Sequence, residues 1–166
     1  MPHGWVKSGD VTEGMSLLRS GSAAYRATGA ELYTPYHVAL LAAASGVAGQ
    51  VEEALRLLDD ALLMVDRTGE GWFAAEIYRH KGQLMLRQGQ PEPAEEFYRK
   101  ALSIAREQEA KLWELRAAVS LARIRRDQGR SSEARDHLAP IYGWFTEGFD
   151  TPDLKEAKAL LEALDA

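Results

Sequence analysis

Residue types able to do chemistry are plentiful in this chain, yet their spacing assembles no reaction centre. The four histidines, His3, His37, His80 and His137, lack the spacing of a histidine metal site and read as surface or packing residues. With no cysteine there is no thiolate ligand, disulfide framework or thiol redox pair. The carboxylate pairs Glu52–Glu53, Asp59–Asp60 and Glu95–Glu96 read as solvated outward faces of helices. Asp136 beside His137 is no acid–base pair, because adjacent helical residues do not face each other. The clustered glycines of SGVAGQ have no neighbouring lysine, and no GxxxxGK[ST] motif occurs, so no phosphate cradle is written here. The sequence therefore predicts no catalytic residue, no metal and no cofactor, and its function falls to binding.

The one concentration of like charge is arginine. Between Arg116 and Arg135 stand six arginines and two acids, Asp127 and Glu133, a local excess of +4 inside a chain of net charge -5. Arginine forks pair with carboxylates through two parallel hydrogen bonds, so an acidic peptide or carboxylate terminus would suit them. Arg125, Arg130 and Arg135 point elsewhere or lie in a turn, and helix C-termini attract cations for dipole reasons alone.

The elements that must position these residues follow from the repeat. GDVTEGMSLL, GQVEEALRLL, GQPEPAEEFY and GRSSEARDHL begin at Gly9, Gly49, Gly89 and Gly129, one period of 40 residues three times over. A small residue follows five positions on (Gly14, Ala54, Ala94, Ala134) and a large apolar one nine on (Leu18, Leu58, Tyr98, Leu138). The glycine suits a left-handed helix stop. The next helix starts at once, with Asp10, Gln50, Gln90 and Arg130 at the N-cap. Glu13, Glu53 and Glu133 sit at the third helical position, where a carboxylate can reach back to the cap amide. The small residue lets two helices cross closely, and the large one fills the gap between them.

The pattern predicts eight helices, over 11–28, 33–47, 51–67, 71–88, 91–108, 111–128, 131–145 and 152–164. Ala and Leu far outnumber Val and Ile, which agrees with an all-helical chain of 166 residues. Helix pairs joined this way stack into a right-handed solenoid whose concave face is lined by the first helix of each pair. One repeat domain spans 1–166: a half repeat 1–30, repeats 31–70, 71–110 and 111–150, and a capping helix 151–166. The half repeat has only MPHGWVKS before Gly9, with Trp5 in the stub of a missing helix. It reads as a piece of a longer array or as a short protein with a divergent start. Its apolar positions Val11, Leu17, Leu18 and Tyr25 are half covered, which predicts weak self-association. The longest apolar run, Val38 to Ala44, is too short to span a bilayer, and the opening segment lacks a secretion-type apolar run. The expected compartment is the cytoplasm.

The glycine, alanine and bulky-residue pattern resembles the tetratricopeptide repeat, whose usual length is about 34 residues. The longer unit leaves room for another helical-pair repeat such as HEAT, though the Gly and Ala placement favours the first. The segments YRATGAELYTPYHVALLA, GWFAAEIYRHKGQLML, LWELRAAVSLARI and LAPIYGWFTEGFDTPDLKEAKALL carry a further resemblance. They are similar to the C-terminal repeat region of bacterial multidomain proteins joining a class III adenylate/guanylate cyclase, or a DNA-binding regulator, to an ATPase. The resemblance implies a signalling context and transfers no catalytic residue.

In such a solenoid a ligand meets first-helix side chains not used for packing. The expected groove residues are Tyr36, Glu76, Arg79, His80, Gln83, Arg116, Ser120 and Arg123, with Arg87 and Asp127 on the same faces. Ala39, Leu40 and Ala43 occupy the matching positions of the earlier helix, so the groove runs from apolar to basic. Phe73, Tyr78, Met85, Leu112, Trp113 and Leu121 read as core. The expected partner is a protein or peptide segment; the alternatives are a small-molecule sensor near Tyr36 and Leu40, and nucleic-acid binding through the arginines.

Overall fold

The computed structural model describes residues 11–29 and 32–165, with the side chains of Val11 and Thr12 left undescribed. Among them are eight helices and no strand: α1 (Val11–Ala27), α2 (Thr34–Val47), α3 (Val51–Thr68), α4 (Ala74–Arg87), α5 (Pro91–Glu107), α6 (Lys111–Asp127), α7 (Ser131–Tyr142) and α8 (Pro152–Leu164). Each helix packs on its chain neighbour, and α2, α4, α6 and α8 also touch in sequence, so they form one continuous inner layer. Trp5 and Gly9 lie outside the described residues.

The turns inside the pairs are built as the glycine spacing predicts. Gly49, Gly89 and Gly129 take φ of 80°, 72° and 77°. Each closes a Schellman motif: Gln50, Gln90 and Arg130 donate backbone N–H to the carbonyls of Ser45, Met85 and Arg125 at 2.9, 3.0 and 2.7 Å. Carbonyls that a helix end would leave orphaned are thereby satisfied. The small-then-large pattern is the packing seam. Ala54, Ala94 and Ala134 are fully buried, and Leu58, Tyr98 and Leu138 fill the space beside them. In the first unit the seam is weaker: Gly14 is exposed and Leu18 half-buried.

Several local expectations need correction. Gln50, Gln90 and Arg130 are N-caps by position, but none makes a side-chain cap bond. Glu53 instead binds Arg56 and Glu133 binds Arg130, since a guanidinium within one turn offers two donors where the cap amide offers one. The seventh helix stops at Tyr142 and not 145, because Pro140 cannot donate to the helical ladder and Gly143 follows it. The fourth begins at Ala74, three residues late, because Gly69 and Gly71 hold a turn in front of it.

Candidate functional site

The inner layer carries a chain of ion pairs crossing three helices. Arg79 donates from Nε to Glu76 Oε1 at 2.7 Å and from Nη2 to Oε2 at 3.0 Å, one turn along α4. Arg116 of α6 reaches the same Oε2 at 3.3 Å. Its Nε and Nη2 also clasp both oxygens of Asp153 on α8, at 2.7 and 3.0 Å. Two turns further along α6, Arg123 pairs with Glu156, one turn beyond Asp153 on α8. His80 Nδ1 lies 3.1 Å from Gln83 Oε1, and Ser120 Oγ donates to its own helix at Arg116 O.

The electrostatics follow from burial. Withdrawal from water would raise the Glu76 carboxyl, but Arg79, bonded to it, with His80 and Arg116 beside it, more than reverses this and holds it at about 2. Burial, reinforced by Arg79, pushes the His80 imidazole down to about 4, so it is neutral at physiological pH. Glu76 and His80 stand four residues apart on one helix face. Metal ligation there is foreclosed chemically, because the carboxylate is committed to two guanidinium groups. No group of three or more His, Cys, Asp or Glu suited to a metal occurs among the described residues.

Seven of the eight expected groove residues lie together along α4 and α6, but Glu76 at 3% and Ser120 at 9% exposure are buried and are not groove positions. The carboxylate is enclosed by its arginines, and the hydroxyl folds back on its own helix. Tyr36 stands on α2 in an aromatic cluster. The Tyr36 ring lies 5.4 Å from Trp72 and 4.9 Å from Phe73. Ala39 is not a groove position: it is buried among Val38, Ala42 and Leu58, which close the core of the second pair. Leu112 is not core; it is 43% exposed at the start of α6. Glu95 is not on a solvated face. It is buried at the α5–α6–α7 junction, where Arg99, Arg125 and Arg130 converge on it at 2.6, 3.7 and 3.3 Å. On α1, Leu17 is exposed while Tyr25 packs edge-on against His37 at 5.2 Å.

The arginine excess is largely answered by acids from other elements. Arg116 meets Glu76 and Asp153, Arg123 meets Glu156, and Arg125 and Arg130 meet Glu95 and Glu133. Arg126 pairs with Asp127 and Arg135 with Asp165. A local +4 counted along the chain is therefore close to neutral in space.

Stacked helix pairs with a 40-residue period and left-handed glycine stops define a tetratricopeptide-like helical-repeat solenoid. Residues 31–107 match the Tetratricopeptide repeat family. Solved structures share the whole architecture. BtubC (BKLC) from P. vanneervenii superposes with a TM-score of 0.76 at 20% identity, over 94% of this chain and 65% of that one. A kinesin-light-chain-type protein of TPR-like repeats from Podosopora anserina does so with a TM-score of 0.67 at 21% identity, over 93% and 77% of the two chains. The chain thus spans less than two thirds of BtubC. No curated protein matches it. Tetratricopeptide repeats generally mediate protein–protein contact, and no described helix is long and apolar enough to cross a membrane.

Proposed function

We propose that this chain is a non-catalytic protein-binding module that holds a partner segment along the inner faces of α4 and α6, within a larger bacterial signalling protein. The observation that carries the reading is the Arg116 fork, which already clasps a carboxylate in the two-bond geometry that an acidic partner would use. Arg123, 45% exposed at the side chain, is the neighbouring cation within a partner's reach. Acidic side chains of a partner would exchange with Asp153 and Glu156, while an apolar residue would anchor beside Tyr36. Because both arginines already hold acids, such exchange gives modest affinity and quick release. The Glu76 pairing argues against nucleic acid: phosphates would have to strip arginines from buried carboxylates.

A peptide array graded in charge tests this. Acidic peptides containing one aromatic residue should bind the chain, and R123E should weaken them by roughly tenfold with helicity unchanged. Equal retention of acidic and basic series, or full binding by R123E, would overturn the reading. R116Q is the gentler partner variant, since a carboxylate at 116 would face Glu76 and Asp153.

A second reading has a specific feature behind it. A cavity of about 320 Å³ is lined by Arg26, Thr34, Pro35, Met64 and Arg67 among others, between the ends of α1 and α3 and the start of α2. A small anionic molecule fits that lining, and ligand-dependent thermal stabilisation would reveal it.

A further inference from the structure

The junctions joining α1 to α2, α3 to α4, α5 to α6 and α7 to α8 all emerge on one edge of the solenoid. On that edge large apolar side chains recur with the repeat: Leu32, Trp72 and Leu112, at intervals of 40 residues, are 59%, 38% and 43% exposed. None of the three is buried in the core, and Trp72 meets the inner face at Tyr36, ring to ring at 5.4 Å. Tyr33, Trp144 and Phe149 are also exposed in the same set of junctions. The row is continuous: Trp72 lies 5.8 Å from Tyr33 and 5.9 Å from Trp113, and Lys111 Nζ sits 5.6 Å over the Trp144 ring. Three consecutive repeats thus present one apolar ridge.

The ridge is held rigid by bonds whose main effect is to fix the junctions. Glu70 Oε1 accepts from the Tyr33 backbone N–H at 2.7 Å and from Trp72 Nε1 at 3.0 Å. Gln108 Nε2 donates to Gly71 O at 2.8 Å. Side chains fixed before binding lose little entropy on contact, which favours a recognition surface. Recurrent exposed apolar residues rimmed by polar ones also mark such surfaces in general.

Charge selects the occupant. Segments 66–73, 106–114 and 143–150 carry seven carboxylates and three bases. Two of those bases, Arg106 and Lys111, are both committed to Glu114. Asp66, Glu107, Glu109, Glu147 and Asp150 are exposed around the ridge. A second copy presenting the same edge would bring like charges together, and an anionic bilayer would be repelled in the same way.

We infer that this edge is a second docking surface, and that its partner is a cationic amphipathic segment of another protein, with aliphatic or aromatic side chains spaced among Lys or Arg. It adjoins the inner face where Trp72 meets Tyr36 but has the opposite charge preference, so the two surfaces select different partners.

The test uses the 166-residue chain with a fluorescent 18-residue Leu–Lys amphipathic peptide, and a Leu–Glu peptide of the same pattern. Binding is read by anisotropy and by amide shift mapping. The Leu–Lys peptide should bind and shift amides of residues 32–33, 70–73, 108–113 and 144–149, with affinity falling as salt rises. The Leu–Glu peptide should not bind there. A triple variant L32S/L112S/F149S, all at exposed positions, should lose roughly tenfold in affinity with an unchanged circular dichroism spectrum. Shifts centred elsewhere, indifference to the triple variant, or equal binding of both peptides at this edge would overturn the inference. So would concentration-dependent sedimentation that the triple variant abolishes, which would make the occupant a second copy.

Discussion

Gly82 stands on α4 where Tyr98 of α5 crosses it, and replacing it by alanine tests the packing that sets the inner face. A Cβ at position 82 would lie 2.4 Å from Tyr98 Cε1, 2.7 Å from Cδ1 and 3.0 Å from Cζ. Carbon pairs rest at about 3.5–4.0 Å, so the nearest overlap exceeds 1 Å. The ring has no retreat, because Tyr98 is 2% exposed and walled by fully buried Ala94 and Ala101. Overpacking of this kind costs about 1–3 kcal/mol, and three ring atoms in conflict place it at the upper end. Alanine returns about 1 kcal/mol of helix propensity. Gly82→Ala should therefore destabilise by about 2 kcal/mol in urea unfolding followed by circular dichroism. Removing the ring should reverse the sign: in a Tyr98→Leu background the same substitution should stabilise by about 1 kcal/mol. The coupling of about 3 kcal/mol then belongs to the ring contact itself. If Gly82→Ala alone is neutral or stabilising, or if its penalty persists without the ring, the close crossing does not govern this site.

Three further outcomes follow from particular groups. Glu95→Ala should cost about 3 kcal/mol, because Arg125, 4% exposed with Nε and Nη1 lacking hydrogen bonds, would keep only Glu133 at 3.4 Å; the urea midpoint reads it. Glu109→Gly should stabilise by about 1 kcal/mol by the same measurement, since Glu109 sits at φ 54° where Gly29 and Gly69 serve the matching junctions. Stability should fall in two stages as pH drops. Between about 6.5 and 4 the unfolded chain takes up the His80 proton that the folded chain refuses, a loss of about 3 kcal/mol that His80→Gln should abolish. From about 4.5 down to 2, protonation of Glu76 removes the stability its ionised pairing supplies.

How far the sequence is legible depends on whether a feature is local to one turn. The glycine stops were readable because a left-handed φ needs glycine at one position, and the small-then-large seam was readable because it repeats along one helix. Leu112 and Ala39 were misread for a common reason: helical periodicity gives a face but not which layer covers it. Leu112 begins α6 beyond the cover of the neighbouring pair, while Ala39 is enclosed by α3. Glu95 reads as polar and outward until three arginines from α5, α6 and the following turn are brought to it.

The remaining pairings become readable once the period is treated as a spatial rule. In a solenoid, residues one repeat apart occupy equivalent places on neighbouring units, so a separation near 40 works as i, i+4 does within a helix. Glu76 and Arg116 are 40 apart, and Arg116 and Asp153 are 37 apart. Tyr33 with Glu70 and Gly71 with Gln108 are also 37 apart. A count of charge along the chain between Arg116 and Arg135 finds a basic patch; matched across one repeat, Arg116 finds Glu76 and Asp153 at 40 and 37 residues, while Arg123, Arg125, Arg130 and Arg135 find Glu156, Glu95 and Asp165 at 30 to 35. Any acidic ligand of Arg116 or Arg123 must therefore compete with α8, and ligand affinity becomes sensitive to Asp153 and Glu156, residues that a ligand need never touch.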